Sequence, residues 1–262
     1  MMKDNGMKES VQAQFGNNAS NYVTSQTHAK GEDLQKLLHI SGITGDEDCL
    51  DIATGGGHVA NLLAPFVLKV TALDLTSEIL KVARQFIEKN GHSNVSFIQG
   101  DAEQLPFQDE CFDVVTCRIA AHHFPNVNAF VKEAFRVTRK GGTLLLIDNV
   151  APELDHLDFF YNKIEKDRDP SHFRAWKKSE WYNLIEVTGF EIVESYSFDK
   201  KFHFDTWCDM MNLANEKRVH LSDFMIGATE AAHKKFRLHL RNKKVETFKG
   251  EAILLKATKP QE

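Results

Sequence analysis

Long apolar runs, paired cysteines and an excess of positive charge are all absent from the sequence. The longest uninterrupted apolar runs, at 144–147 and 252–255, are four residues each, whereas a membrane-spanning helix needs about 18 or more. No CxxC pair occurs among the four cysteines, and the first residues lack the apolar stretch of a signal peptide. We therefore predict no membrane span, reduced thiols and a cytoplasmic location.

The charge and composition exclude several classes of protein. The net charge of −5 gives no indication of a nucleic-acid partner. Hydrophobic residues make up 42% and charged residues 26% of the chain, which is the ordinary globular profile and excludes disordered, collagen-like and coiled-coil proteins. The 262 residues suffice for one or two domains at about 150 residues each.

Short β-rich runs alternate with helical patterns along the chain, which is typical of an α/β protein with a parallel sheet. Seven runs predict strands, at residues 49–53, 67–73, 95–98, 112–117, 143–147, 190–196 and 245–257. Two longer connections follow the fifth and sixth strands, at about 153–178 and 205–243. Connections of this length inside a compact domain are usually functional, so we expect both to be lids over a site.

A glycine-rich turn follows the first predicted strand, where residues 51–58 have the sequence DIATGGGH. Its three glycines permit close backbone approach, and the following helix N-terminus offers free N–H groups to a ligand. Asp74 ends the second strand, where a carboxylate can accept both hydroxyls of a ribose. The glycine-rich turn and Asp74 together predict a nucleotide-type ligand. Because Gly55-x-Gly57-x-x-Ala60 also fits a dinucleotide fingerprint, nicotinamide cofactors and other adenosine ligands both stay open.

A third acid, Asp101, follows the third predicted strand, so Asp51, Asp74 and Asp101 fall at three strand ends. Six motifs occur in order between residues 50 and 143: LDIATGGG, ALDLT, GDAEQLPF, FDVV, AHHFP and KGGT. Together they resemble the class I S-adenosylmethionine-dependent methyltransferases, and within them the small-molecule branch that includes the ubiquinone and menaquinone C-methyltransferases. The resemblance covers about residues 45–150. Ala53 stands where this family usually has its first loop glycine.

The resemblance implies a Rossmann-like fold, with a seven-stranded, mostly parallel sheet, helices on both faces, an antiparallel last strand and a helical cap. Residues 1–44 would form the cap, and residues 45–262 the methyltransferase core with its two lids, as one compact domain. The pattern at residues 15–22 is similar to the family's helix that closes over the cofactor, so Tyr22 or His28 would touch cofactor or substrate. Local disorder is expected before Ser10, and we give it no functional weight.

The same resemblance implies S-adenosylmethionine as cofactor and S-adenosylhomocysteine as product. The loop from Ala53 through Gly55 to Gly57 would face the methionine part, and Asp51 would hold the loop or reach the amino group. The resemblance further implies that Asp74 binds the ribose hydroxyls, that Leu75 packs near the adenine ring and that Asp101 accepts from the adenine amino group. It also implies a backbone contact from Ala102, a place for Arg118 near the methionine portion, and a contact from Tyr22 on the closing helix.

His122 and His123 follow the fourth strand and are the candidates for a general base, because histidine titrates near neutral pH. Adjacent residues on an extended segment face opposite ways, so we expect only one of the two to point into the site. A base is optional, since alignment of the reactants can supply much of the rate. The sequence contains no HExxH motif, and we expect no metal.

These observations predict a methyltransferase that transfers a methyl group to a small-molecule acceptor by in-line displacement. The alternatives are an RNA or protein methyltransferase, a nicotinamide-dependent oxidoreductase and a cofactor-binding protein without catalysis. Residues 233–244 contain six Lys or Arg and no acid, which fits either an RNA-contacting face or a solvated helix. The net negative charge favours the solvated helix, so nucleic acid is not the expected partner.

Overall fold

The computed structural model describes Gly6, Lys8, Gln12 and residues 31–262. Strands β1–β8 span Asp48–Ile52, Lys69–Asp74, Val95–Gln99, Phe112–Arg118, Thr138–Val150, Glu191–His203, His239–Arg241 and Lys244–Thr258. The helices of residues 31–262, named α1–α9, span Glu32–Ile40, His58–Leu63, Ser77–Lys89, Val127–Val137, Asp155–Arg168, Lys178–Thr188, Phe204–Asp209, Asn215–Ile226 and Glu230–Phe236. None of the described helices combines the length and apolar character needed to cross a membrane.

All eight strands belong to one mixed sheet, in the order β3-β2-β1-β4-β5-β8-β6, with β7 also paired to β8. The pairs among β1–β5 are parallel, whereas β8 is antiparallel to β5, β6 and β7. This sheet confirms the predicted α/β class and the Rossmann-like, mostly parallel arrangement with an antiparallel last strand.

The short strand β7 was not expected, because the sequence pattern predicts helix throughout 205–243. Three residues with left-handed backbone, Arg237, Asn242 and Lys243, explain the difference. Arg237 is the C-cap of α9 and ends the helix. Asn242 and Lys243 form the two-residue turn that joins β7 to β8, since positive φ at both positions suits a tight hairpin.

Alternation along the strands sends side chains to two separate apolar cores. Leu144 and Leu146 of β5 pack with residues of α4 and α6 on one face of the sheet. Leu145 and Ile147 pack with residues of α1 and α2 on the other. The central strands are apolar on both faces because helices cover both, as the fold prediction requires.

Strands β6 and β8 extend past the end of β5. The last β5 pair joins Val150 to Glu251, but β6 and β8 stay paired as far as His203 and Thr247. Helices α5, α7, α8 and α9 contribute to a third apolar cluster on this extension, with Phe248 fully buried in it. The two segments predicted to be lids supply these four helices. Both segments therefore lie at the carboxyl end of β5.

Candidate active site

The loop between β1 and α2 has an unusual backbone. Ala53, Gly55 and Gly57 all adopt positive φ, of 53°, 53° and 82°, a region that glycine tolerates far better than other residues. A Cβ on Gly57 would lie 2.9 Å from Cδ1 of Ile87 on α3, so close packing requires glycine there. A Cβ on Gly55 would meet nothing within 4 Å. Gly55 therefore faces open space, and its backbone is accessible to a ligand.

Asp74 fastens this loop to the end of β2. Its Oδ2 accepts a hydrogen bond from Gly55 N at 3.0 Å, and its Oδ1 accepts one from Thr76 N at 3.0 Å. Burial raises the pKa of the carboxyl to about 6, although these backbone hydrogen bonds oppose the shift. Each oxygen keeps a further lone pair, so the carboxylate can accept two more hydrogen bonds.

Asp51 lies one strand away and is bound by two hydroxyls. Thr54 Oγ1 donates to its Oδ2 at 2.6 Å, and Thr116 Oγ1 of β4 donates to its Oδ1 at 2.7 Å. Burial raises the pKa of this carboxyl to about 6 as well. The contacts connect the loop to β4, which is the holding role that the resemblance implies for Asp51.

The third strand-end acid, Asp101, is paired with a residue from the start of the chain. Lys8 Nζ lies 2.6 Å from Asp101 Oδ2 and 2.6 Å from Glu103 Oε2. Gln12 Nε2 donates to Leu75 O at 3.0 Å. Lys8 therefore forms part of the cavity wall, although the sequence offers no reason to include a residue before Ser10 in the site. No periodic pattern marks such a lysine in the sequence.

Arg118, at the end of β4, forms a buried ion pair with Asp33 of α1. Its Nε and Nη2 donate to the two carboxylate oxygens at 2.8 and 3.2 Å. Burial alone would raise the pKa of Asp33, but the hydrogen bonds and charge of Arg118 hold it below its ordinary value. The pair fixes the guanidinium beside the cavity and connects α1 to the sheet.

His122 and His123 occupy a short 3-10 turn, Ala121–His123, beyond β4. Asp148 Oδ1 lies 2.6 Å from His122 Nδ1, and Asp148 Oδ2 accepts from His122 N at 2.8 Å. Burial lowers the pKa of His122, but the Asp148 carboxylate more than offsets this, and the net pKa is raised. Asp148 thus holds His122 against β5, and His122 is not among the residues that line the cavity.

His123 lines the cavity, and its ring centroid lies 4.2 Å from that of His122. Its Nδ1 lies 3.0 Å from the Ser171 carbonyl oxygen. Because a carbonyl can only accept, Nδ1 carries the hydrogen, and in the neutral ring Nε2 carries the lone pair. Burial and the neighbouring His122 lower the pKa of His123. One histidine of the two therefore faces the site and is neutral near pH 7.

A third histidine, His172, adjoins this turn and was not identified from the sequence. Its ring centroid lies 5.5 Å from that of His122, and its Nε2 lies 2.9 Å from Asn162 Oδ1. Phe173 N and Arg174 N both donate to the His122 carbonyl, at 2.8 and 2.9 Å. The loop after α5 therefore closes directly over the histidines. In the part of the chain that is described, no three His, Cys, Asp or Glu side chains are arranged to hold a metal ion.

These features surround one cavity along the carboxyl ends of β1, β2 and β4, where ligands of open α/β sheets bind. It holds about 1030 Å³ of space, including the part open to solvent. Eight of the ten predicted cofactor-binding residues line it: Asp51, Ala53, Gly55, Asp74, Leu75, Asp101, Ala102 and Arg118. Gly57 lies behind the wall, as the first turn of α2 packs on α3. Tyr22 and His28 lie outside the described residues.

Comparison with known proteins identifies the family. A family model described as a methyltransferase domain matches residues 50–146. The uncharacterized methyltransferase YcgJ of Bacillus subtilis is 34% identical over 246 residues, which cover 94% of this chain and 97% of the relative. The chain belongs to the methyltransferase family. It is a class I S-adenosylmethionine-dependent methyltransferase, and S-adenosylmethionine is its cofactor. The nicotinamide alternative is thereby set aside.

Solved structures support the same family assignment. A protein of Bacillus halodurans C-125 described as a methyltransferase superposes with a TM-score of 0.87 at 57% identity, over 88% of this chain and all of that one. The crystal structure of YcgJ gives a TM-score of 0.86 at 32% identity, over 89% of this chain and all of that one. The ubiquinone/menaquinone biosynthesis C-methyltransferase UbiE of Bartonella tribocorum is 34% identical, but only over 43% of this chain and 45% of its own length.

Proposed function

We propose that the methyl acceptor is a small molecule and that it reacts by in-line displacement beside His123. The observation that carries this proposal is the closure of the loop after α5 over the histidine turn, through two backbone hydrogen bonds to the His122 carbonyl. Ser171 and His172 of that loop are buried. Among the described residues, a wall of this kind favours a compact acceptor over a polymer at this end of the cavity.

The cofactor end fits S-adenosylmethionine in the way that the resemblance implies. The two remaining acceptor positions of the Asp74 carboxylate suit the two ribose hydroxyls. Leu75 suits the adenine face, and Asp101 with the Ala102 backbone suits the adenine edge. The open face of Gly55 and the left-handed backbone at Ala53 leave room for the methionine part, near Asp51 and Arg118. When bound, the cofactor supplies an electrophilic methyl group on a sulfonium.

The protein contributes alignment and exclusion of water, which account for a large share of the rate in such a transfer. The buried walls at His123 and the loop after α5 keep water from the acceptor. Where the acceptor must lose a proton, we assign that proton to His123, since a base must be unprotonated before the reaction. Its Nε2 lies 4.0 Å from Asp169 Oδ2, a carboxylate that would stabilise the imidazolium formed when the proton is taken up. His122, which Asp148 binds and which does not line the cavity, positions the turn and is not the base.

Two observations favour a small molecule over RNA. Two acids of β8 partly neutralise the basic run 233–244: Arg241 lies 3.1 Å from Glu246, and Lys235 lies 3.6 Å from Glu251. Relatives that match the core are named ubiquinone/menaquinone biosynthesis C-methyltransferases, and their names give a small-molecule pathway. Neither observation points to a phosphate backbone as acceptor.

Labelled S-adenosylmethionine tests the acceptor class. The protein is incubated with the labelled cofactor and, separately, a low-molecular-mass cell extract, bulk RNA and bulk protein. We expect the label to enter only the low-molecular-mass fraction. Label in RNA or protein, with none in small molecules, would contradict the proposal.

His123→Asn tests the base once an acceptor that loses a proton is known. Loss of a general base lowers the transfer rate by about 10²–10⁴-fold, while affinity for S-adenosylhomocysteine should stay unchanged. His156→Asn, at an exposed position on α5, is the matched control and should keep full activity. Full activity in His123→Asn would remove His123 from the mechanism.

A further inference from the structure

A second cavity lies between α5, α9 and the extension of β6 and β8. It holds about 1090 Å³ of space, including the part open to solvent. Its walls come from the end of β5, the start of α5, helix α9, and the stretch of β6 and β8 where Asp199 is paired with Glu251. The described walls of the two cavities have no residue in common. A ligand bound in the second cavity would therefore leave the site of S-adenosylmethionine free.

Basic side chains outnumber acidic ones in the wall of the second cavity. Four cations line it, and two acids do. The cations are Lys234, Lys235, Arg237 and Lys249, and the acids are Asp199 and Glu251. The whole chain has a net charge of −5, so this local excess of positive charge is opposite to the overall balance. A cleft lined by one sign of charge concentrates ligands of the other sign.

Each of the two acids in this wall is shared by two cations. Asp199 Oδ2 lies 2.7 Å from Lys249 Nζ and 4.0 Å from Arg237 Nη1. Glu251 Oε2 lies 3.6 Å from Lys235 Nζ, and its Oε1 is bound by the lysine that begins α6. One carboxylate neutralises one positive charge, so sharing leaves part of the positive charge of the wall without a counter-ion.

Lys234 has no acidic partner within residues 31–262. It is exposed on α9, and Glu230, one helical turn earlier, forms no ion pair with it. The acids at the start of α5 are held by another lysine: Lys177 Nζ lies 2.5 Å from Asp155 and 3.8 Å from Asp158. Lys234 is therefore the cation of the wall that is available to an incoming anion.

The floor of the second cavity is apolar. Val150, Leu157 and Phe236 line it and are buried. Leu154, at the N-cap of α5, also lines the cavity and is 59% exposed. Sites for small molecules combine apolar walls with a small number of polar groups that fix the orientation of the ligand. The cavity therefore suits a ligand with an anionic head and an apolar group.

We propose that the second cavity binds a soluble phosphate monoester that carries an apolar group, with Lys234 bound to the phosphate. Such a phosphate has a charge of about −1.5 to −2 near pH 7, which matches the excess of cations over acids in the wall. Its oxygens accept charge-assisted hydrogen bonds from ammonium groups. A polymer such as RNA would bring further phosphates against Asp199 and Glu251. This site does not depend on the identity of the methyl acceptor.

Titration with hexyl phosphate tests the site, with inorganic phosphate and 1-hexanol as probes of the head and of the apolar group alone. Each compound is titrated calorimetrically into protein saturated with S-adenosylhomocysteine, so that the cofactor site is already filled. Hexyl phosphate should bind about tenfold or more tightly than either partial probe, because only hexyl phosphate contacts both the cations and the apolar floor. Equal affinity for hexyl phosphate and inorganic phosphate, or no binding of hexyl phosphate, would overturn the inference.

Substitutions at two exposed positions separate the head from the apolar group. Lys234→Gln should weaken binding of hexyl phosphate about fivefold or more, whereas Lys234→Arg should retain most of it. Leu154→Ser should weaken it about threefold and leave the affinity for inorganic phosphate unchanged, since serine keeps the N-cap and removes the apolar contact. Lys81→Gln, at an exposed position on α3, is the matched control and should bind as the wild type does. Undiminished binding of hexyl phosphate by Lys234→Gln would contradict the proposal.

Vesicles and RNA distinguish the soluble ester from larger ligands. Vesicles of phosphatidylcholine that contain phosphatidic acid present the same phosphate monoester on a membrane surface. We expect the protein to bind hexyl phosphate and to stay in the supernatant when these vesicles are sedimented. Sedimentation with the vesicles that requires Lys234, or binding of bulk RNA that requires Lys234, would overturn the proposal if hexyl phosphate does not bind.

Discussion

Asp74 should make cofactor binding depend on pH. Burial raises the pKa of its carboxyl from an ordinary 3.8 to about 6. The proposed ribose contact needs the ionised form, because only a carboxylate can accept from both hydroxyls and from two backbone N–H groups. At pH 5, about nine-tenths of these carboxyls would be protonated. The Kd for S-adenosylhomocysteine should therefore be about tenfold larger at pH 5 than at pH 7.5.

Asp74→Asn should abolish this dependence. The amide keeps the shape of the side chain and loses its charge, and a hydrogen bond to a charged group contributes about 1.5–3 kcal/mol. Affinity at pH 7.5 should fall roughly 10–100-fold and vary little with pH. Asp51→Asn is the matched control, because the pKa of Asp51 is also about 6 while its oxygens are bound by Thr54 and Thr116. It should retain the pH dependence.

Isothermal titration calorimetry at pH 5, 6 and 7.5 measures both quantities. Repeating each titration in buffers with different heats of ionisation counts the protons released on binding. The wild type should release up to about one proton at the lower pH values, since binding favours the carboxylate. Asp74→Asn should release fewer. A Kd that changes less than twofold between pH 5 and 7.5, or an unchanged profile in Asp74→Asn, would refute the reasoning.

The stability of the free protein should respond to Asp74 with the opposite sign. The pKa of this group is higher in the folded state than the ordinary 3.8 of an unfolded chain. Its contribution to the free energy of unfolding is therefore fully present below about pH 4 and is lost as the pH rises through about 6. If affinity for S-adenosylhomocysteine rises over the same pH range, the rise cannot come from this contribution, because the contribution falls as the pH increases. Urea titrations of wild type and Asp74→Asn at each pH separate the two effects.

Two further substitutions test the framework of the site. Gly57→Ala should lower the free energy of unfolding by about 2–4 kcal/mol, since its Cβ would lie 2.9 Å from Ile87 and its φ is +82°. Gly91→Ala is the control, because Gly91 has a similar φ of +88° but open space around it, and it should cost only about 1–2 kcal/mol. Equal losses in urea titrations would contradict the packing argument. Arg118→Met should cost about 3–5 kcal/mol by leaving Asp33 buried without a partner. Adding Asp33→Asn should restore part of that loss, and additive losses would contradict it.

The periodic parts of the fold were predictable from the sequence. Apolar alternation located the strands, and the acids at or near the ends of β1, β2 and β3 marked the cavity because parallel strands end at one edge of a sheet. The extension of β6 was not predictable in this way. The prediction ends the strand near Tyr196, since 199–201 is a charged run, but pairing with β8 continues to His203. Half-exposed strands carry such charges on their open face.

Contacts between distant segments were also beyond the sequence patterns. Lys8 meets Asp101 across 93 residues, and His123 meets Ser171 across 48. No spacing in the sequence predicts either contact, because only the folded structure brings these segments together. The adjacent pair at 122 and 123 did permit the prediction that one histidine faces the site. Which of the two does so depends on Asp148, whose carboxylate holds the first ring away from the cavity.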